Sequence, residues 1–377
     1  MTITSANNGQ TFKNYRISTT SGDCVDINGA SNVTIENFNI GPCGTNNTTG
    51  SSNGIQVQGG SGIGIYDSYI HVENLASDCC DTHDGIFIMN GSSDIVQGNV
   101  LAFNETNIEI DAASAGVVVN GNFLLNPTGP FPRGQQVQTG GSNITVENNR
   151  TLSCQIGGPA HSGVVKPLYC NASTLAGAAI SIAADQEDAL NFYQATTFTA
   201  SGNWVEGGDS PSGQGILVDF GSDGATIQNN ILKDTGQGCI GPLYGSGTVS
   251  GNKCLSMTDI DVDQNGIYPF GSSCGTWHLS NNRISVLGFT SGSACNPNTN
   301  ACMFNSYGQA GNCTVIDSGG NIYDDDYPAP VGGPGAGSAY AALKPITTTN
   351  PPPAIPPLPK NCVAKSPYST QTSKPGC

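Results

Sequence analysis

The sequence predicts an all-β fold: a single right-handed parallel β-helix, or β-solenoid, of about eleven coils with a Pro-rich C-terminal tail. A short motif of alternating apolar and polar residues ends on a small residue and Asn, and it recurs at steps of roughly 22 to 39 residues, with one gap of about 54. No helical stripe separates the copies. Gly accounts for 51 of 377 residues and only 11% are charged, which suits short strands joined by tight turns.

The repeated motif assigns one Asn to each coil. Stacking one copy per coil places each Asn directly above the last, so that the side-chain amides donate and accept along the helix axis. Such a ladder satisfies buried polar groups, and we interpret these residues as structural. The copies contain Asn14, Asn37, Asn99, Asn122, Asn149, Asn203, Asn230, Asn252, Asn282 and Asn321, with Asp67 in one variant.

A second row of strands precedes the motif in most coils. Each copy alternates apolar and polar residues, so successive side chains point into and out of the coil, and parallel strands stack about 4.8 Å apart. The predicted inward positions are apolar: Val25, Ile55, Ile86, Ile108 and Ile180. The predicted outward positions form a column on one face: Asp26, Gln56, Phe87, Glu109, Gln136, Ser181 and Leu217.

Two segments interrupt or end the repeat. Residues 1–323 are predicted to form the β-helix, with an insertion in one coil at about 153–196. Residues 324–377 form an extended Gly/Pro-rich tail that ends in a loop closed by Cys362 and Cys377. Neither end of the solenoid shows an obvious polar cap. This predicts open strand edges and head-to-tail stacking, with the tail bracing the next subunit.

Charge and cysteine content limit the partners and the compartment. The net charge is −16 and no run of Lys or Arg is present, which argues against nucleic acid or an anionic membrane as partners. No apolar run reaches transmembrane length. The 14 Cys residues predict disulfides and an extracellular, secreted protein. Plausible local pairs are Cys154–Cys170, Cys295–Cys302 and Cys362–Cys377.

Two stretches resemble the right-handed parallel β-helix superfamily that includes pectate lyases and polygalacturonases. Residues 21–27 with 32–37 are similar to a polygalacturonase coil, and residues 41–44 with 53–55 are similar to the coil that follows it. The resemblance implies an extracellular β-helix that acts on polysaccharide. The paired Asp of the hydrolase family is here Gly22-Asp23, and the His motif and basic triplet that follow it are missing, so that family's catalytic residues are not carried over.

The densest group of candidate catalytic residues precedes the outward column. Aligning the coils predicts one column of polar residues: Asp23, Asn53, Asp84 and Arg133. A coil spacing of about 4.8 Å would bring Asp84, Glu109 and Arg133 within roughly 10 Å of each other. Two carboxylates suit a glycosidase, whereas a base with a cation beside a sugar carboxylate suits a lyase. The alternatives are turn chemistry for Asp84 and a surface ion pair between Glu109 and Arg133.

Further side chains complete the predicted site. A Ca²⁺ ion held by Asp81 and Asp84 would supply the cation that a lyase needs. One aromatic ring, three amides and three charged or ionisable side chains are predicted to contact the substrate. They belong to Asp26, Gln56, His83, Phe87, Asp111, Gln136 and Gln138.

Two functions from different classes follow from these observations. The first is an extracellular polysaccharide-binding protein that cleaves its glycan as a lyase or a glycoside hydrolase. The second is a structural protein, a secreted fibre or adhesin subunit that stacks head to tail on copies of itself. The carboxylates and Arg of the site favour the first, and the uncapped ends favour the second.

Overall fold

The computed structural model describes residues 1–44, 52–72, 84–129, 134–153, 186–207, 213–233, 235, 238–255, 265–285, 313–323 and 353–364. In these residues the chain winds as a right-handed parallel β-helix, and strands of successive coils pair in parallel. The described part contains one short 3-10 helix, Ser5–Asn7, and no α-helix, so no described helix is long and apolar enough to cross a membrane. The predicted all-β class is confirmed.

Each coil contributes strands to three rows. The first row contains β1 Thr2–Thr4, β4 Val25–Asn28, β7 Ile55–Gln58, β10 Ile86–Met89, β13 Ile108–Ile110, β16 Val137–Ser142, β19 Leu190–Ser201, β21 Gln214–Val218, β24 Gly238–Ser250 and β26 Asn265–Ser280. The second row contains β2 Thr11–Lys13, β5 Thr34–Glu36, β8 Gly64–Tyr66, β11 Ile95–Gln97, β14 Val118–Asn120, β17 Thr145–Glu147, β22 Asp223–Gln228 and β28 Thr314–Asp317. Strands β19, β24 and β26 run on into it, and the two rows form one 18-stranded sheet.

The third row is a separate 12-stranded sheet. It contains β3 Tyr15–Ile17, β6 Asn39–Ile40, β9 Tyr69–Ile70, β12 Val100–Ala102, β15 Phe123–Leu125, β18 Arg150–Leu152, β20 Trp204–Glu206, β23 Ile231–Lys233, β25 Lys253–Leu255, β27 Arg283–Ser285, β29 Ile322–Tyr323 and β30 Val363–Ala364. The helix has about eight turns, slightly fewer than the eleven coils predicted.

The predicted Asn ladder runs through eight coils. Its members are Asn99, Asn122, Asn149, Asn203, Asn230, Asn252, Asn282 and Asn321. The amide nitrogen of each of the first seven donates to the next Asn Oδ1 at 2.9–3.1 Å. It also donates to a backbone carbonyl, while the Oδ1 accepts a second bond from a peptide N–H. Both polar atoms of each buried amide are therefore satisfied.

The prediction is wrong for the first three copies of the motif. Asn14, Asn37 and Asp67 lie one position earlier, at a left-handed turn residue with φ of 63°, 56° and 47°. Asn tolerates this conformation better than most residues, and Gly occupies the same turn position in several later coils, for example Gly98 with φ of 68°. The ladder position is aromatic in the first two coils, with Tyr15 and Phe38 packed edge to face at 5.3 Å between ring centroids, and it is Ser68 in the third, whose N–H donates to Asn99 Oδ1 at 2.9 Å. A single Asn in the motif fits either position.

The coils enclose one continuous apolar core, built by the inward residues of all three rows. The inward positions predicted for Val25, Ile55, Ile86 and Ile108 are confirmed, since each is fully buried. One inward position is a carboxylate: Asp94 is level with Ile63 and Val117 on the neighbouring coils. Its Oδ1 accepts the Ile63 N–H at 2.8 Å, and its Oδ2 has no hydrogen-bond partner among the described residues.

The coil with the insertion differs from the prediction. The alternation at 179–182, with Ile180 inward and Ser181 outward, was expected to supply its first-row strand, but β19 pairs with β16 through Leu190 and Asn191. Residues 179–182 lie outside the described residues. The coil therefore resumes at 190, before the predicted end of the insertion at about 196. A long insertion offers more than one apolar alternation, and the sequence alone does not choose between them.

The tail returns to the first coil. Strand β30 pairs in parallel with β3, with Val363 opposite Tyr15. Asn37 exchanges two hydrogen bonds with the Lys360 backbone at 2.9 and 3.1 Å. Ile355 and Leu358 pack on an outward apolar cluster of the third row: Tyr69, Val100, Ala102, Phe103, Phe123, Leu125 and Leu152. In this structure the tail therefore packs on its own chain and β30 pairs with the first strand of the third row, while bracing of another subunit stays a prediction.

Three disulfides lie in the described residues: Cys24–Cys43, Cys239–Cys254 and Cys274–Cys313. The first two each cross-link one coil, and the third joins two successive coils. Cys362 is also disulfide-bonded. The predicted pairs Cys154–Cys170 and Cys295–Cys302, and Cys377 of the third pair, lie outside the described residues.

Candidate functional site

The first row carries the outward column that the sequence predicts. Register pairing places Asp26, Gln56, Phe87, Glu109 and Gln138 on five successive coils, with each residue directly opposite the next. All five side chains are half-buried. We call this set the polar column. It continues into Asn191 and Leu217, which are buried. The backbone of the sheet fixes the spacing, so these groups are held at about 4.8 Å intervals without loops.

The structure corrects the position of Gln136. It was predicted to face outward, but it is fully buried at the corner before β16. Its Oε1 accepts from the Asn107 amide at 2.6 Å, and its Nε2 donates to Gln186 Oε1 at 3.0 Å. Gln138 is the true member of the polar column. Alternation along Gln135–Gln138 makes both 136 and 138 outward, but the chain bends into the corner before Val137.

Asp84 belongs to a buried corner stack beside the polar column. The Asn53 N–H donates to Asp23 Oδ1 at 2.6 Å, and the Asp84 N–H donates to Asn53 Oδ1 at 3.0 Å. The Asp84 side chain is 1% exposed, so in this conformation it does not offer its carboxylate to a ligand on the face. The register continues the stack through Thr106 and then Gln135, rather than Arg133 as predicted.

Asp111 has a role in a turn. Its Oδ1 accepts hydrogen bonds from the Asn90 N–H, the Ala113 N–H and the Ser114 hydroxyl, at 2.7 to 3.2 Å. These contacts close the corner between the first and second rows in two coils. They favour a structural role over the predicted contact with substrate.

Sequence reasoning missed Asp188 as a site candidate. It stands two residues before Leu190, the register position that Asp84 has before Ile86. It is 2% exposed, its Oδ1 accepts the Gln214 N–H at 2.8 Å, and its Oδ2 accepts the Asn191 amide at 3.1 Å. Burial, followed by the charge of Glu187, raises the pKa of Asp188 well above its ordinary value. Asp188 could be found from the sequence once β19 is known to begin at Leu190. The signal is an acidic residue two positions before an inward apolar residue.

Three predicted site residues, Asp81, His83 and Arg133, lie outside the described residues. In the part of the chain that is described, no three His, Cys, Asp or Glu side chains converge as a metal site would require. The described residues of the predicted Ca²⁺ site reduce to Asp84, which is buried and lies beside an amide. A hard cation prefers several oxygen ligands together, so the described residues do not by themselves fit it.

No protein-family model matches the chain, and no curated protein matches it. Among solved structures, the chain is similar to an alginate lyase from Paenibacillus sp. str. FPU-7, with 12% identity, a TM-score of 0.45, and coverage of 84% of this chain and 96% of that one. It is also similar to a pectate lyase from Bacillus sp. N165, with 16% identity, a TM-score of 0.37, and coverage of 78% and 88%. At these identities the likeness concerns the fold alone.

Proposed function

We propose that this protein is an extracellular, secreted protein that binds a polysaccharide along the polar column. The observation that carries the proposal is the register of five half-buried side chains, Asp26, Gln56, Phe87, Glu109 and Gln138, on five successive coils. A linear polymer with a repeating unit suits a surface that repeats its own hydrogen-bonding groups at a fixed interval. The one ring, Phe87, offers a stacking face, and the amides and carboxylates offer partners for hydroxyl groups.

The setting of the column supports this proposal. The column lies on a rigid parallel sheet, so binding costs little ordering of the protein. The Asn53 amide donates to Gln56 Oε1 at 3.5 Å, and the Gln56 amide donates to the Met89 sulfur at 3.4 Å, so the Gln56 side chain is held from both sides. Secretion is supported by the three disulfides, since such bonds persist in oxidising compartments.

The polar column presents two carboxylates for chemistry, Asp26 and Glu109, and both are half-buried. Glu109 stands beside Phe87 in the column, whereas Asp84 and Asp188 at the first-row corner are buried. Hydrolysis needs a raised-pKa acid with a second carboxylate, and elimination needs a base with a neutralised sugar carboxylate. Glu109 would supply the base for either reaction, whereas Asp188 is 2% exposed at the same corner position as Asp84 and, like it, does not offer its carboxylate to the face in this conformation.

A glycan array with the labelled full chain tests the proposal. Binding to at least one polysaccharide is expected, and Glu109→Gln together with Gln56→Ala should weaken it at least tenfold. Glu147→Gln is the matched control, because Glu147 is a half-buried outward residue of the second row on the coil after Glu109. Binding that is unchanged in the double variant, or equally weakened by Glu147→Gln, would contradict the assignment. Analysis of products, unsaturated for elimination and saturated for hydrolysis, then separates the two reactions.

The structural alternative, head-to-tail assembly, has support at one end of the helix only. At the last coil, Ile316 of β28 is 39% exposed, and β28 has no described strand on its outer side. At the first coil, β30 occupies the edge of β3 that a second copy would need in the third row. Assembly through both ends would therefore require the tail to leave its own first coil. Sedimentation velocity over a range of concentrations tests this, since a monomer at all of them would exclude stacking.

A further inference from the structure

Two of the most exposed rings in the described structure lie on successive coils. Among the described residues only four large hydrophobic side chains are exposed: Tyr193, Phe220, Ile316 and Val363. Tyr193 is 40% and Phe220 is 58% exposed, and they occupy the corner where the first row turns into the second. The coil register aligns them, because Phe192 pairs with Val218 and the Gln194 N–H donates to the Phe220 carbonyl.

A third ring extends this pair by one coil. Tyr244 follows Leu243, which pairs with Val218, and its ring packs edge to face on Phe220 with 6.3 Å between centroids. Burial, and then the charge of Asp219, raises the pKa of Tyr244, which agrees with a carboxylate close to this phenol. The three rings together span two coil spacings, or about 10 Å. We call Tyr193, Phe220 and Tyr244 the aromatic strip.

The surroundings of the aromatic strip are small and polar. Gly221 and Gly245, with φ of 80° and 63°, flank the rings without side chains of their own. Gln194 donates to the Tyr193 hydroxyl at 3.1 Å, and Asp219 and Asp223 lie in the same turn as Phe220. Three rings set among glycines and polar groups offer much less apolar surface than a stable protein interface needs. Such an interface buries roughly 800 Å² per partner. Isolated ring faces with hydroxyl and carboxylate neighbours suit a sugar.

The negative charge of this corner indicates which class of polysaccharide the aromatic strip would bind. The described corner segments on five coils, residues 111–116, 140–143, 193–197, 219–224 and 244–247, contain three Asp and neither Lys nor Arg. A polyuronate carries a carboxylate on every sugar and would be repelled here, whereas a neutral or amino-sugar glycan would not be.

We propose that Tyr193, Phe220 and Tyr244 form a stacking subsite for a polysaccharide that carries no carboxylates, placed at the corner beside the polar column. This inference rests on the proposed function, since it names a second contact surface for the same kind of ligand. The strip begins at the coil of Asn191, where the polar column becomes buried, so a glycan leaving the column would meet rings at that point. A polysaccharide without carboxylates is not a substrate for elimination, because elimination requires a sugar carboxylate.

The test measures affinity of the full chain by affinity electrophoresis in a soluble neutral glucan, a galactomannan, chitosan oligosaccharides and polygalacturonate, each with and without Ca²⁺. We expect binding to a neutral or amino-sugar glycan. Phe220→Ala and Tyr244→Ala should each lower that affinity about two- to tenfold, the range of an aromatic contact. Tyr244→Phe should keep it, because the ring makes the contact. Ile316→Ala is the control, an exposed apolar residue on the last coil.

The outcomes separate the two proposals. If the wild type binds a glycan and a Tyr193→Ala, Phe220→Ala, Tyr244→Ala triple variant binds it equally well, the subsite is wrong and the proposed function stands. If polygalacturonate is the preferred ligand, the assigned glycan class is wrong. If the wild type binds none of the glycans of the panel or of the array, the proposed function fails and the subsite with it. Circular dichroism of the triple variant is expected to match the wild type, because two of its rings are already exposed.

Discussion

The side-chain amide of Asn149 donates to Oδ1 of Asn203 at 3.0 Å, although 54 residues separate them. The contact has the same length as those between coils with no insertion, such as Asn122 to Asn149 at 3.0 Å. The ladder is thus continuous across the largest irregularity of the chain. It follows that the 54-residue separation leaves the register of the described ladder unchanged.

Breaking this ladder should cost more than an ordinary hydrogen bond. Asn203→Ala removes two N–H donors and one oxygen that accepts two hydrogen bonds from a buried site, and it leaves their partners unsatisfied. The expected loss in the free energy of unfolding is about 2–4 kcal/mol. Urea denaturation followed by circular dichroism measures it. Asn148→Gly is the matched control, since Asn148 is exposed with φ of 53° and Gly fills the equivalent position in other coils. An equal loss in both variants would contradict a special role for the ladder.

Asp94 should make stability fall as the pH rises from about 4 to 6. Burial raises its pKa to about 6 in the folded chain, despite hydrogen bonds from the Ile63 and Gly62 N–H groups. The folded state therefore binds this proton more tightly than the unfolded state, whose pKa is near 3.8. The contribution is fully present below the unfolded pKa and is lost as the pH passes through the folded pKa, an effect of about 3 kcal/mol.

The measurement is Tm against pH for the wild type and Asp94→Asn. Other buried carboxyls with raised pKa values, such as Asp188, change stability in the same direction, so the difference between the two proteins is the quantity to read. The variant should lose part of the slope between pH 4 and 6. Parallel curves for the two proteins over that range would show that Asp94 is not the titrating group.

The tail should stabilise the first coils. Ile355 and Leu358 pack on the outward cluster of the third row, and Lys360 bonds to Asn37. Leu358→Asp should detach the tail from the third row, because it buries a charge in an apolar contact. This should lower Tm and open the edge of β3 to pairing with another chain. Tm and light scattering after size exclusion measure the two effects. Ala354→Ser, at an exposed position of the same segment, is expected to change neither. A Leu358→Asp protein with wild-type Tm would exclude a stabilising tail.

The Cys274–Cys313 disulfide should matter most among the three described, because it closes the longest loop, 39 residues against 19 and 15. The chain-entropy estimate for a loop of this length is about 4 kcal/mol, and for the shortest about 3 kcal/mol. Unfolding of the paired Cys→Ser variants in denaturant, with Cys239 and Cys254 replaced as the comparison, tests the order. A larger loss for the Cys239–Cys254 pair would point to native-state packing instead of loop closure as the cause.

How far the sequence predicts this structure depends on whether a feature repeats. The ladder from Asn99 onward and the polar column from Asp26 to Glu109 follow from spacing, because every coil restates the same alternation. Asn37 was misplaced because one Asn fits both the turn and the ladder, and the two differ only in backbone conformation. Gln136 is predicted wrongly because a bend before Val137 breaks the alternation. The residue types of Gln135–Gln138 contain no signal for that bend.

The tail and Asp188 show the other limit. The contact between Asn37 and Lys360 spans 323 residues, and no local pattern indicates where an extended Pro-rich segment will dock. Asp188 was hidden by the choice of strand inside the insertion, since a shift of the strand from 180 to 190 changes which acidic residue stands at the corner. The catalytic assignment of Asp84, Glu109 and Arg133, and the Ca²⁺ site at Asp81 and Asp84, stay predictions.

The return of β30 to β3 also decides how this molecule would respond to tension. A pull between the first coil and the tail is carried first by a two-residue ladder and by the Asn37–Lys360 bonds, and only afterwards by the stacked rows. The tail would detach from β3 at low force while the coils of the β-helix stayed folded. Force spectroscopy would then show a small early release that is separate from the rupture of the stack.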